Sequence, residues 1–246
     1  MITNLFQYEY LVGGFILALI WSVFILFRKD LYQVMIWSSL WYFGLFVIGL
    51  IVLPLLNNII PPEMTFNPGY WQPNSLWDLN RKTGGAGIED GVFMFFVGGI
   101  AAASYEVFFR KTVGKPKKSG YRLHALKIGF VAMIFFAVLF RLNLIWPLIV
   151  FALVTAFNEV KERHDLWAHA VWGGITFFLI YLLAFKFFNF IYPDFILGKY
   201  NLDNLSGIIF WGLPVEELLY ALSFGVMWAP IYEYITGAKD KDLKSF

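Results

Sequence analysis

GLPVEELLY, residues 212–220, places two adjacent carboxylates, Glu216 and Glu217, inside an apolar run, and GAGIEDGVF, residues 85–93, does the same 127 positions earlier with Glu89 and Asp90. The pairing continues without gaps. Gly98 matches Gly225, Ala102 matches Ala229, and Tyr105-Glu106 matches Tyr232-Glu233. Six identities in a window of 26 residues exceed the roughly one or two that ordinary residue frequencies give. Shared carboxylates are the least expected coincidence in a chain of 246 residues that is 59% hydrophobic and only 15% charged.

Upstream of the acids, FRKDLY at 27–32 resembles ERHDLW at 162–167, at an offset of 135 because the intervening loop of the first half is eight residues longer. Between these landmarks run uncharged stretches such as 10–27 and 31–56. These are long enough for helices to cross a bilayer, for which about 17 to 25 residues suffice, and they lack the alternation of a membrane barrel. The expected fold is an all-α polytopic membrane protein of seven spans, at 9–27, 33–56, 88–109, 123–140, 143–160, 167–190 and 214–235. Three spans form a first repeat over 1–115, the span within 116–141 connects, and three form a second repeat with its tail over 142–246. An offset of four crossings is even, so the repeats are parallel, unlike the inverted repeats of many transporters.

The cations sort by loop. Fourteen of the 19 Lys and Arg, including Arg28, Lys29, Arg110, Lys111, Lys118, Arg163 and Lys244, fall on one side, against Arg81, Lys82, Arg141, Lys186 and Lys199 on the other. The basic excess marks the cytoplasmic side, which puts the N-terminus outside, the C-terminus inside and the chain in the cell membrane. The first apolar run reads as a retained span rather than a cleaved leader, and KKSG at 117–120 as a solvated cytoplasmic turn.

Several function classes are excluded. With no cysteine there is no thiolate nucleophile or thiolate metal site, and a net charge of +2 gives no reason to expect nucleic acid as a partner. No GxGxxG follows a strand, so no dinucleotide or flavin site is expected, and no DDxxD marks a diphosphate site. His124, His164 and His169 lack any telling spacing to acidic residues, so no metal is expected. A retinal protein would need a lysine in the last span, and 205–237 holds none.

The acids themselves admit two readings. Carboxylates in the first turn of a helix satisfy free N–H groups and the helix dipole, with Pro214 suited to that turn. Alternatively, an acid within the membrane costs about 2.5 to 3.5 kcal/mol and marks a cavity or a proton path. Two carboxylates in a dry site share a proton, and so supply a donor and an acceptor at one pH. Phe93 and Tyr220 stand one turn after Glu89 and Glu216, and aromatic faces stabilise cations.

Pro-x-Glu-Glu in GLPVEELLY, its variant GAGIEDGVF with Gly87 in place of proline, and the Asn-Pro element FNPGYW at 66–71 together resemble the membrane-integral lycopene cyclase family. The likeness covers 10–110 and 145–236, with YPDFILGKY at 192–200 a loose second Asn-Pro element. The resemblance implies cofactor-free cyclisation of the end groups of a linear carotenoid. One acid protonates a terminal double bond, the cation closes a six-membered ring, and a carboxylate removes a proton. It implies Glu89, Asp90, Glu216 and Glu217 as catalytic residues, and Asn67, Tyr70, Trp71, Phe93, Trp211 and Tyr220 as substrate-binding. A carotenoid substrate, the bilayer and other carotenoid-pathway enzymes are the implied partners. A non-catalytic carotenoid carrier and a proton-coupled transporter remain the alternatives.

Overall fold

The computed structural model describes residues 7–56, 58–83, 85–117 and 122–242. Of the basic turn expected at 117–120 only Lys117 is among them, and Lys244 also lies outside the described residues. In hydrocarbon every backbone polar group must be satisfied within its own segment or a closed barrel. The apolar runs accordingly form helices: α1 (Glu9–Phe27), α2 (Tyr32–Leu56), a short α3 (Leu79–Lys82), α4 (Ile88–Phe109), α5 (His124–Phe140), α6 (Ile145–Glu162), α7 (Trp167–Ile191), a short α8 (Phe195–Lys199), α9 (Val215–Trp228) and α10 (Ile231–Thr236). Two antiparallel pairs of small strands complete the described chain, β1 (Lys111–Val113) with β4 (Asp240–Asp242) and β2 (Ile209–Phe210) with β3 (Leu213–Pro214).

Five segments, Glu9–Phe27, Lys29–Val52, Ile88–Phe109, His164–Ile191 and Val215–Thr236, are long and apolar enough to cross a membrane. The protein is thus an all-α polytopic membrane protein. Helices stand at all seven expected places, but α5 has only 17 residues and α6 ends on Glu159, Lys161 and Glu162. The last expected span is interrupted at Ala229-Pro230. Proline lacks an N–H and its ring clashes with the preceding turn, so the helix is broken there into α9 and α10.

The duplication is visible in the packing. The matched Gly98 and Gly225 lie where α4 crosses α2 and α9 crosses α7: a Cβ on Gly98 would stand 2.8 Å from the Ser38 carbonyl, and one on Gly225 3.0 Å from the Gly174 carbonyl. The Arg-x-Asp-Leu turns have the same job in each half. Arg28 Nη1 donates to the Glu106 carbonyl at 2.6 Å and its Nη2 to the Lys111 carbonyl, while Asp30 holds the guanidinium at 2.8 and 2.9 Å. Arg163 repeats this on the carbonyls of Glu233, at 3.0 Å, and Ala238, at 3.1 Å, held by Asp165. Glu233 and Ala238 are Glu106 and Lys111 displaced by 127 positions. The Glu106 and Glu233 carbonyls already accept from the N–H groups of Arg110 and Gly237, so each arginine adds a second donor there and ties the chain beyond the helix end to the turn between the two preceding spans.

The halves interlock. α7 packs on α1 and α4, and α10 packs on α2. At the end of the bundle where α4 and α9 begin, the motif end, the two long loops are stitched together across the halves. Trp71 pairs with Tyr200, the Gln72 N–H donates to the Lys199 carbonyl at 2.7 Å, and the Asn201 N–H donates to the Tyr70 carbonyl at 2.9 Å. At the opposite, basic end, β1 pairs with β4.

Candidate active site

Neighbouring residues on a helix do not face the same way, and the two acids of each motif point apart. Glu89 is buried, its Oε1 accepting from the Leu76 N–H at 2.7 Å and its Oε2 from the Ser75 hydroxyl at 3.1 Å. Glu216, also buried, accepts from the Ser206 N–H at 2.6 Å through Oε1. Each first acid therefore ties its own motif-end loop to the start of its helix. The glycines that open the motifs are equivalent too: Gly85 has φ +126° and Gly212 φ +78°, a region open to glycine at little cost. Gly212 shares the two-residue turn of the β2–β3 hairpin with Trp211, at φ 54°, as tight hairpin turns require.

The second acids turn inward. Asp90 and Glu217 both line one cavity of about 380 Å³ between the halves, a size within the range of small-molecule sites, about 300–1,000 Å³. The two motifs thus converge on one space rather than on separate pockets. Among the described residues none of the four motif acids is in an ion pair. The walls are aromatic and aliphatic, with Tyr10, Phe46, Phe93, Tyr181, Phe185 and Tyr220 among them.

The two inward acids are held unequally. Glu217 accepts from three tyrosines: Tyr181 at 2.5 Å on Oε1, and Tyr200 at 3.0 Å and Tyr70 on Oε2. Asp90 accepts from the Gly87 N–H at 2.7 Å, and the Tyr10 hydroxyl interacts with its carboxyl. The repeat explains part of the difference. Tyr181 corresponds to Phe46 at the offset of 135, and Tyr220 corresponds to Phe93 at 127, so the second half brings hydroxyls where the first brings bare rings. Tyr220 uses its own on Tyr42, at 2.5 Å. Burial, and next the Glu217 carboxylate, hold the hydroxyls of Tyr70 and Tyr200 far above the ordinary tyrosine range, so both remain donors.

Of the residues implied for substrate, Tyr70, Trp71, Phe93 and Tyr220 line the cavity. Trp71 stacks edge-on against Tyr10, with ring centroids 4.4 Å apart. Asn67 stands outside it, before the cis Asn67–Pro68 bond, with its Cβ against Gly85. Trp211 is 60% exposed at the hairpin tip, stacked on Phe210 and donating nothing inward, while its carbonyl accepts from Lys186 Nζ at 2.5 Å. Tyr10, Tyr42, Tyr181 and Tyr200 are the site residues that sequence reading passed over. With 13 tyrosines in the chain, composition could not single them out, although Tyr200 ends YPDFILGKY and Tyr181 stands in register with Phe46.

Searches of curated proteins and of solved structures return no match. A family model described as lycopene cyclase matches residues 7–108 and again residues 117–235, one match to each half. With two successive matches of that model together covering nearly all of the chain, the chain belongs to the lycopene cyclase family.

Proposed function

We propose that the protein cyclises the end groups of a linear carotenoid such as lycopene within the membrane, without a cofactor, by acid–base chemistry between Asp90 and Glu217. The observation that carries this reading is that the two acids face the same apolar cavity with unequal hydrogen-bond partners. Hydrogen bonds donated to a carboxylate favour its ionised form. Glu217, with three hydroxyl donors, is the proton acceptor, and Asp90, with the single hydroxyl of Tyr10, is the donor. Pairs of acids driven apart in this way take opposite roles.

Asp90 gives its proton to a terminal double bond of the substrate, leaving a carbocation. A second double bond attacks that cation and closes a six-membered ring, moving the charge onto the ring. Glu217 removes a ring proton to form the cyclic alkene. One proton enters and one leaves, so the product is an isomer, and return of the proton from Glu217 to Asp90 resets the site. The surrounding rings stabilise the cation by about 2 kcal/mol for a good desolvated contact, and the absence of bulk water from such a site protects it from hydration. Glu89 and Glu216 act as positioning residues through the loops they hold. Under this reading the repeats, 1–115 and 142–246 around a connector at 116–141, each give one acid, and the motif end faces outward across the cell membrane.

The test is pigment extraction from lycopene-accumulating cells that express the chain, with Asp90→Asn and Glu217→Gln alongside. Cyclisation in heavy water places deuterium in the new ring if the proton comes from an exchangeable acid. Cyclic product from the parent chain, with a loss of about 10²–10⁴-fold in each variant as expected for general acids and bases, supports the reading. Linear pigment with the well-expressed parent chain sinks it and leaves a carrier or a transporter.

A further inference from the structure

The bundle holds a second buried cluster of ionisable groups at its other, basic end, away from the carotenoid site. Glu106 on α4, His169 on α7, Glu233 on α10 and Asp240 on β4 each present a ligand atom within 4.8 Å of the others. Glu106 and Glu233 are 0% exposed and His169 1%. Both oxygens of Glu106, both of Glu233, the His169 Nε2 and the Asp240 Oδ1 have no hydrogen-bond partner among the described residues. Nε2 stands 3.3 Å from Glu106 Oε1, while His169 Nδ1 is 3.1 Å from Asp240 Oδ2.

A structural pair of acids does not account for this arrangement. Glu106 and Glu233 each stand three residues before the last residue of their helix, where the helix dipole disfavours negative charge. Arg28 and Arg163 make no ion pair with them, placing their guanidinium groups on backbone carbonyls and on Asp30 and Asp165, and the single imidazole of His169 stands against three carboxyl groups. Buried carboxyl oxygens without partners are expensive, and buried charges are normally paired or bound to a metal.

We propose that Glu106, Glu233 and His169 bind one divalent first-row metal ion, with Asp240 orienting the imidazole from behind. Imidazole with carboxylates and no thiolate suits Zn²⁺, Fe²⁺ or Mn²⁺. Ligand atoms about 2.1 Å from an ion lie within about 4.2 Å of one another, so a spread of 4.8 Å closes with sub-ångström movements. Asp240 on Nδ1, at 3.1 Å, fixes the ring with Nε2 toward the ion, the usual outer-shell carboxylate arrangement of metal-bound histidines, which leaves Glu106, Glu233 and His169 as the ligands. The two glutamates are repeat equivalents, but the counterparts of His169 and Asp240 in the first half are Val34 and Val113. One ion, not two, therefore completes the site, and it pins α4 of the first half to α7 and α10 of the second. The site is independent of the cyclisation reading.

The test uses the full chain purified in detergent, stripped with chelator and titrated with Co²⁺ and Zn²⁺. One ion per chain by elemental analysis is expected, with visible Co²⁺ bands and a higher melting temperature on loading. Glu106→Gln/Glu233→Gln should abolish all three signals, and Asp240→Asn should weaken binding by about 10–100-fold. A parent chain that takes up no stoichiometric ion overturns the proposal whatever the variants do. So does binding that persists in the double variant, because those signals would then come from other residues.

Discussion

Glutamine substitution of Glu216 and of Glu217, one residue apart, should have different consequences. Glu216 makes one hydrogen bond, from the Ser206 N–H to Oε1 at 2.6 Å, and its Oε2 has no partner. Glutamine keeps an acceptor where Oε1 stands. The loss is the difference between a charge-assisted bond, about 1.5–3 kcal/mol, and a neutral one, about 0.5–1.5 kcal/mol. That is about 1 to 1.5 kcal/mol, or a fall of about 2–6 °C in melting temperature for a chain this size, with cyclisation per folded chain nearly unchanged. Glu217→Gln keeps the volume and an acceptor for Tyr181 or Tyr200 but cannot take up a proton. By the same arithmetic, weakening its three bonds costs about 3–4.5 kcal/mol and lowers the melting temperature further, while cyclisation per folded chain falls by about 10²–10⁴-fold, or about 2.7–5.4 kcal/mol of barrier. The assay is chromatography of pigments from lycopene-accumulating cells, normalised to the amount of folded chain by size exclusion. Equal losses of cyclisation in the two variants, or Glu217→Gln within threefold of the parent, would refute the division of labour.

Gly174→Ala would place a Cβ 2.4 Å from Val226 Cγ2 and 2.9 Å from its backbone, which cannot move aside, so overpacking of about 1–3 kcal/mol or more should lower the melting temperature measurably in detergent. Arg163→Ala leaves the carbonyls of Glu233 and Ala238 without their side-chain donor. The Glu233 carbonyl keeps the Gly237 N–H at 2.9 Å, so the Ala238 carbonyl alone is left unsatisfied, and at about 1–3 kcal/mol for such a buried group the chain should be destabilised by about that much, read from the same melts. Alkali supplies a further check. Tyr70 and Tyr200 hold their protons in the fold beyond the pH at which an unfolded tyrosine loses them. The unfolded chain therefore binds fewer protons above pH ~10, and stability, complete below that pH, should fall by about 1.4 kcal/mol per pH unit for each tyrosine. Melting between pH 9 and 11 should show a shallower fall for Tyr70→Phe/Tyr200→Phe, and an unchanged slope would contradict their protonated burial.

The sequence by itself determined the helical membrane architecture and the duplication, and it marked the candidate acids. Long uncharged runs leave a backbone in hydrocarbon no alternative to helix, and paired acids in a chain with so few charges are conspicuous wherever they fall. The offset of 127 placed Glu106 opposite Glu233, and the offset of 135 placed Arg28 opposite Arg163, before any coordinates. Which acid faces the cavity was decided only by the tertiary structure. Adjacent residues on a helix diverge, so the linear string Glu-Glu does not reveal that Glu216 meets a loop N–H while Glu217 meets Tyr70, Tyr181 and Tyr200 from three other segments. Likewise Trp211, in register with the motif, is carried outward by a hairpin, and His169, alone in its own stretch, is set beside Glu106, Glu233 and Asp240 by the packing of distant segments. Periodicity and composition act along the chain and can be read there. Convergence of side chains at a point depends on the directions in which packed elements aim them, and that exists only once the halves have come together.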